Sequence, residues 1–311
     1  MIQREIVILG QRRTVAGDRD YLGQMGDEFE ADTTALLAAL CNPDATAVDI
    51  GANIGLTTLA LSAICSEGSV LAIEPVPVTF TLLDSNLATA GVQNVSTFNV
   101  ALGAAEGSVS MYVDASNLAT SFVVGIDAGA GHEIPMTSLD SLVSRQQLQR
   151  LDFIKIDVEG CELEVLKGAQ ETLARFQPIV MLEMNHWCLN VFRRVSLPEF
   201  RDRLLELFPC VYAVDHQGFL DFSEPLNAGS VYHAHVFENR YMNLVAGFDR
   251  KSLLARLGRL PMAAPSAAGP CADAGRDSAE QQLQAVLDST SWKLTAPLRR
   301  LCHWAKTSRK G

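Results

Sequence analysis

No run of eighteen apolar residues occurs anywhere in the 311-residue chain, and its opening, Met1-Ile2-Gln3-Arg4-Glu5, has no long apolar segment behind a basic start. Neither a membrane-spanning helix nor a secretory leader is therefore expected, and the expected location is the cytoplasm. Paired cysteines are missing too. The seven present (Cys41, Cys65, Cys161, Cys188, Cys210, Cys271 and Cys302) are odd in number, widely spread and without a C-x-x-C pair. That spacing excludes the common zinc and redox motifs and reads as reduced, mostly buried thiols. Positive charge is scarce: the net charge of −11 splits into −17 over residues 1–288 and +6 over residues 289–311, which hold six Lys and Arg and no acid. An acidic body lacks the basic groove that phosphate backbones need, so no nucleic-acid partner is expected. Also absent are a repeat of solenoid period and the crowded G-x-G-x-x-G turn that cradles a pyrophosphate.

The chain does have an ample core, at 48% hydrophobic residues, enough for one large α/β domain and an appendage. Its most informative stretch runs from Ala47 to Gly55: a buried strand with Val48, Asp49 and Ile50, a turn with Gly51, Ala52 and Asn53, and then Gly55 opening a helix. Gly51 and Gly55 let the backbone approach a ligand and let the helix lie tight on the sheet. Nineteen residues after Gly55, Glu74 closes a second apolar strand, where an acid can accept hydrogen bonds from both hydroxyls of a ribose. Asp49 would repel phosphate but suits a cationic ligand. S-adenosylmethionine, with a ribose, an ammonium group and no phosphates, fits this turn better than a nicotinamide dinucleotide, so an oxidoreductase is disfavoured. A tight turn needed only for packing is the alternative for the glycines alone.

From Ala47 the pattern alternates strand and helix: strands at 47–50, 69–73, 95–99, 151–157 and 178–183, helices at 56–65 and 78–90 and another up to Lys167. That order predicts a parallel sheet covered on both faces. Ahead of it, residues 1–45 read as a preface with a strand near Ile6–Leu9 and a helix from about Glu28 to Leu40. Residues 46–250 form the main domain, 251–279 a linker rich in proline and small residues, and 280–311 a basic amphipathic tail. Residues 114–131 read as a lid or substrate loop. One more helix follows residue 196, and antiparallel strands at Cys210–Val214 and Val231–Phe237 finish the sheet. Open α/β sheets bind ligands at the carboxyl ends of their strands, so Asp49, Glu74, Asp157 and Glu183 are expected to converge on one crevice.

Several separated motifs stand in sequence order: Val48 to Gly55, Ala72-Ile73-Glu74-Pro75, Asn86, Val100-Ala101-Leu102-Gly103, Ser138-Leu139-Asp140, Phe153 to Gly160, and Glu164 to Ala169. Together they resemble the FkbM family of S-adenosylmethionine-dependent methyltransferases over roughly residues 26–237. The resemblance implies an α/β, Rossmann-like class I methyltransferase fold with a mostly parallel seven-stranded sheet, helices on both faces and here a C-terminal helical tail. It also implies methylation of a hydroxyl oxygen, often on a sugar. By position, Gly51, Ala52 and Gly55 lie beneath the cofactor, Asp49 and Asn53 meet its amino-acid end, and Glu74 binds its ribose, with Pro75, Asn99, Ala101 and Asp157 beside it. Cys161 departs from the alanine common there. The Asn-Pro-Pro-Tyr signature of nitrogen methylation is absent, its place taken by Asp157-Val158-Glu159-Gly160.

An alcohol needs a base within hydrogen-bond reach before it attacks carbon. Asp157 or His186 is the expected base, with Glu159, Glu183 and Lys155 around the acceptor. Each also has a plainer reading: Glu159 can stabilise the start of the next helix, Lys155 can form a structural ion pair, and His186 can be a satisfied structural histidine. Trp187 and Phe192 are either a stacking floor for a sugar ring or core. His233 and His235 alternate on an expected strand, but no acid or cysteine is placed nearby, and no metal is assigned. In the tail, Trp292, Leu294, Leu298, Leu301 and Trp304 among basic residues suit an anionic membrane face, a partner protein or the chain's own acidic body, and the similarity of residues 289–300 to C-terminal segments of bacterial polysaccharide-assembly glycosyltransferases implies a polysaccharide-assembly partner. The expected activity is O-methylation of a sugar hydroxyl in a surface polysaccharide, lipopolysaccharide or glycosylated precursor. The alternatives are a small secondary metabolite as acceptor and a non-catalytic cofactor-binding scaffold.

Overall fold

The computed structural model describes residues 1–112, 122–123 and 132–260. The chain divides into Met1–Ala263 and Ala264–Gly311. The tail, residues 261–279 of the expected linker and all but two residues of the expected lid lie outside the described residues.

The described chain opens with a hairpin, β1 (Ile2–Ile8) and β2 (Gln11–Gly17), then α1 (Arg19–Gln24) and α2 (Ala31–Leu40). Strand–helix alternation follows as expected: β3 (Thr46–Ile50), α3 (Leu56–Ile64), β4 (Ser69–Ile73), α4 (Pro77–Thr89) and β5 (Val95–Phe98). A side sheet holds β6 (Ala101–Leu102), β7 (Gly107–Tyr112), β8 (Phe122–Val123) and β9 (His132–Thr137). Then come α5 (Leu139–Arg145), β10 (Phe153–Ile156), α6 (Glu162–Lys167), α7 (Gln170–Phe176) and β11 (Ile179–Glu183). The rest comprises α8 (His186–Cys188), a π-helical turn (Leu189–Arg193), α9 (Leu197–Leu207), β12 (Cys210–Asp215), β13 (Gly218–Asp221), α10 (Pro225–Glu238), β14 (Asn243–Gly247) and α11 (Arg250–Leu257).

The main sheet runs β13-β12-β14-β11-β10-β3-β4-β5. Strands β11, β10, β3, β4 and β5 are mutually parallel, whereas β14 is antiparallel to both β11 and β12. Six of the seven expected strands are present, β14 takes the place expected of residues 231–237, and β13 adds an eighth at the edge. Successive side chains leave opposite faces of each strand. Ala47, Val70, Phe153, Met181, Tyr212 and Val245 therefore enter one core, and Val48, Leu71, Ile154, Leu182, Ala213 and Leu244 the other. Burial on both faces is why these strands read as continuous apolar runs. The N-terminal hairpin contributes Ile6, Ile8 and Val15 to the first core. Asn86, on α4, binds the backbone of Ala16 and Ile54 with its amide and so ties that hairpin to the turn after β3.

Two expectations are corrected. Residues 231–237 belong to α10, so His233 and His235 do not share a strand face: His233 is exposed and His235 fully buried. Pro225, with its preset φ, starts that helix, Ala228, Val231 and Ala234 recur at helical spacing, and the strand completing the sheet is β14. The linker begins later than residue 251, because α11 packs Leu253 and Leu257 into the first core. No helix among the described residues is long and apolar enough to cross a membrane.

Candidate active site

Sequence order reverses between β3 and β10, with β4 and β5 leading away on one side and β11 on the other. A crevice opens at the carboxyl ends of strands at such a point. A cavity of about 660 Å³ lies there, lined from the carboxyl end of β11 and the loops after β3, β4, β10 and β12. The antiparallel course of β14 brings residues 239–243, which lead into it, to the same edge.

Gly51 turns the chain out of β3 with φ +80°, and a Cβ there would fall 1.8 Å from the Asp157 carbonyl oxygen. The glycine is thus required by the neighbouring strand's backbone. Gly55 (φ +95°) opens α3 against Leu83, and its Cβ would meet that side chain at 2.7 Å. Gly55 stands outside the cavity wall, whereas Gly51, Ala52 and Asn53 line it.

Glu74 is 6% exposed, and its two carboxyl oxygens accept from the Asn53 and Val76 backbone N–H groups, each at 2.9 Å. These bonds lock the β3 and β4 turns together and leave each oxygen a further lone pair. Pro75 and Ala101 line the same wall. Asn99 does not: its amide donates to the Glu74 and Pro75 carbonyls at 2.9 Å, holding the turn from behind.

Asp49 is also displaced from its expected role. It is fully buried, takes a 2.7 Å hydrogen bond from Thr58 Oγ1, and is absent from the cavity wall. Strand register pairs it with Lys155, whose ammonium lies 3.6 Å from Asp49 Oδ1, 3.2 Å from Asp157 Oδ2 and 3.2 Å from the Gly51 carbonyl. Burial works to lower the Lys155 pKa, but the Asp157 and Asp49 carboxylates outweigh it and hold the group above its ordinary value. Asp49 therefore acts on the cavity through Lys155.

Asp157, with 40% of its side chain exposed, lines the cavity together with Glu159 and Glu183. Glu159 sits at φ +51°, and its carboxylate accepts from Asn185 Nδ2 at 3.3 Å and from Cys188 Sγ at 3.0 Å. Its contacts are therefore with the β11 loop. The next acid, Glu162, supplies the bond to the Gly160 N–H at 3.0 Å. Burial pushes Glu162 up to about 7 and Glu74 up to about 7, in each case against backbone hydrogen bonds that lower it. Burial, followed by the Asp157, Glu159 and Glu162 charges, pushes Glu183 up to about 9.

Three carboxyls that keep their protons to a higher pH in the fold than in the open chain, where they ionise near 4.5, make stability fall as pH rises from there to about 7 for Glu74 and Glu162 and to about 9 for Glu183. Each contributes about 1.4 kcal/mol per pH unit while only the unfolded form is ionised. The ligand-free melting temperature is expected to drop by several degrees from pH 5 to 8, and Glu183→Gln to flatten the upper part of that curve. A temperature that is level or rising over this range would contradict the burial of these groups.

His186 is not part of the cavity wall. Its Nδ1 lies 3.1 Å from His235 Nε2, and His235 Nδ1 lies 3.1 Å from the Arg240 carbonyl. A carbonyl only accepts, so His235 carries its proton on Nδ1 and His186 donates from its own Nδ1. His186 therefore anchors the β11 loop to α10. Trp187 is 57% exposed, which excludes the core reading, and it meets Phe192 edge to face with centroids 5.2 Å apart. No metal-ligating group of three or more side chains occurs among the described residues.

Residues missed from the sequence are Tyr21, Thr79, Asp215, His216, Arg240 and Tyr241, all lining the cavity. Thr79 carried a faint signal, a hydroxyl in the first turn of the helix after Glu74-Pro75; the others come from distant segments. Thr79 Oγ1 and Asn53 Oδ1 are buried on this wall without a partner inside the protein. Orphaned polar atoms beside an acceptor-rich Glu74 fit a nucleoside with an ammonium group, and S-adenosylmethionine would be held by Gly51, Ala52, Asn53, Glu74 and Thr79.

Residues 49–214 match the model of the methyltransferase FkbM domain. The chain is 32% identical over 145 residues to hexuronic acid methyltransferase AglP of Haloferax volcanii, covering 46% of this chain and 58% of the relative. It is 28% identical over 177 residues to AMB antimetabolite synthetase AmbE of Pseudomonas aeruginosa, covering 45% of this chain and 8% of that one. The chain thus spans less than two thirds of the length of these curated relatives. Among solved structures, methyltransferase FkbM from Methylobacillus flagellatus is 20% identical with a TM-score of 0.40, covering 54% of this chain and 39% of that one. With a domain model matching more than half of its residues and the α/β sheet described above, this chain belongs to the FkbM methyltransferase family.

Proposed function

We propose that the protein is an S-adenosylmethionine-dependent O-methyltransferase acting on a sugar hydroxyl of a surface polysaccharide, lipopolysaccharide or glycosylated precursor. One observation carries this reading: a single cavity joins an end where Glu74 is clamped by two N–H groups to an end where Asp157 and Glu183 face the same space. The bound cofactor supplies an electrophilic methyl group on a good leaving group. Asp157, beside the Lys155 ammonium, accepts the hydroxyl proton of the acceptor, a step worth about 10² to 10⁴ in rate. Glu183, protonated at neutral pH, donates to a second acceptor oxygen, the opposite role to that of Asp157. The sugar reading is supported by the name of the AglP relative. AmbE favours a second reading, a small metabolite as acceptor.

Asp157→Asn is expected to lower kcat by about 10² to 10⁴ while S-adenosylhomocysteine affinity, measured by calorimetry, changes only a few-fold. His186→Ala should keep most of its turnover. Near-full activity of Asp157→Asn would remove the base from this scheme, and failure of the wild-type chain to bind the cofactor product would remove the scheme altogether. We place the reaction in the cytoplasm, with residues 280–311 attaching the enzyme to a membrane face or assembly partner. Deleting them should release it from that site, and unchanged recruitment would reject the attachment.

A further inference from the structure

The sheet order separates the cavity into a half over β3 and β4, where Glu74 and Asn53 stand, and a half over β10, β11, β12 and β14, which is left for the acceptor. The fixed charges of the second half are two cations, Lys155 and Arg240, among Asp157, Glu159, Asp215 and Glu238. Recognition of a carboxylate calls for a guanidinium fork or an ammonium with free donors. Lys155 has none to give, and Arg240 keeps only one N–H on each Nη, its charge already met by Asp215 and Glu238. Arg240 donates from Nε to Asp215 at 2.6 Å, from Nη1 to Glu238 at 3.5 Å and from Nη2 to the Tyr241 hydroxyl at 3.2 Å. Its guanidinium also lies 4.9 Å over the Tyr241 ring. Lys155 faces Asp157, Asp49 and the Gly51 carbonyl, all within 3.6 Å. His216, exposed after β12, adds an ionisable ring but no fixed cation. The crowding of carboxylates that keeps the proton on Glu183 acts on any further carboxylate brought beside it.

We infer that the acceptor sugar is neutral or carries an amine, and that the site rejects a uronate. The inference rests on the sugar-methylating reading and sharpens it, and it sets this chain apart from the acidic sugar in the name of the AglP relative. Four features support it. The wall has an excess of acids, each of its cations is engaged by acids of the protein, acids and hydroxyls are good acceptors for sugar O–H and N–H donors, and like charges in a cleft disfavour the wrong partner.

The test uses the full chain, labelled S-adenosylmethionine and matched methyl glycosides of the gluco, galacto and manno series, each as the neutral sugar, the amino sugar and the uronic acid. At low ionic strength, labelled product is expected from a neutral or amino member at a rate at least tenfold above its uronic counterpart, a ratio that shrinks as salt screens the wall. A uronic acid methylated as fast as its neutral counterpart, or faster, overturns the inference and leaves the sugar reading standing. No transfer to any glycoside, with S-adenosylhomocysteine still bound, overturns both. The double variant Asp215→Asn, Glu238→Gln frees the Arg240 fork while Asn keeps the side-chain oxygen that accepts from Gln217 and Gly218. It should shift the uronate-to-neutral ratio at least tenfold toward uronate. An unchanged ratio in a variant that melts like the wild type would also overturn the assignment.

Discussion

Replacing Glu74 by alanine should weaken S-adenosylhomocysteine binding by roughly 10²- to 10³-fold and lower the melting temperature as well. Two effects combine. The carboxylate is the acceptor at the end of β4 that a ribose needs, and hydrogen bonds to a charged group are worth about 1.5–3 kcal/mol each. The same oxygens satisfy the Asn53 and Val76 N–H groups at 2.9 Å, so alanine leaves two donors unmet in a site only 6% exposed. Glu74→Gln separates the two effects. Its amide keeps one acceptor oxygen but turns the other into a donor facing an N–H, so it should fall between wild type and alanine in affinity and remain closer to wild type in melting temperature. A Glu74→Ala protein that folds and binds within tenfold of wild type would remove Glu74 from the cofactor site.

Gly51→Ala should be among the most damaging single methyls at the described glycines, costing more than about 4 kcal/mol, beyond the range of ordinary substitutions. The residue has φ +80°, where a side chain is strained, and the added carbon would lie 1.8 Å from the carbonyl oxygen of Asp157. That oxygen belongs to the turn after β10 and cannot retreat without pulling Asp157 from Lys155 and parting the two central strands. Gly23→Ala is the control, because it lies in α1 with nothing within 4 Å and should be neutral or slightly stabilising. Soluble expression and melting temperature of the two variants decide the matter. A Gly51→Ala protein melting within a few degrees of wild type would mean that the ends of β3 and β10 are not so closely apposed.

Much of the sheet was legible because a strand buried on both faces leaves a short apolar run, and an acid ending such a run stands out. The runs expected at 47–50, 69–73 and 178–183 became β3, β4 and β11 nearly residue for residue, and the run expected at 151–157 became the shorter β10. The segment 231–237 misled because Val-Tyr-His-Ala-His-Val-Phe alternates over a short window, whereas its helical period emerges only over the whole of Pro225–Glu238. The α10 to β14 turn, with Arg240 and Tyr241, has no local pattern tying it to the cavity. It reaches the cavity only because β14 runs against its neighbours.

Sequence alone determined the parallel core, the glycine turn after β3, the acid at the end of β4 and the convergence of Asp157 and Glu183, since each depends on residue type and spacing along one strand–turn unit. Only the tertiary structure decided that Asp49 reaches the cavity through Lys155, that Gly51 makes room for the Asp157 carbonyl, that His186 pairs with His235 outside the cavity and that Arg240 is paired with Asp215 and Glu238. Those facts depend on which strands lie side by side and in what register, contacts between segments up to about a hundred residues apart that no local pattern encodes.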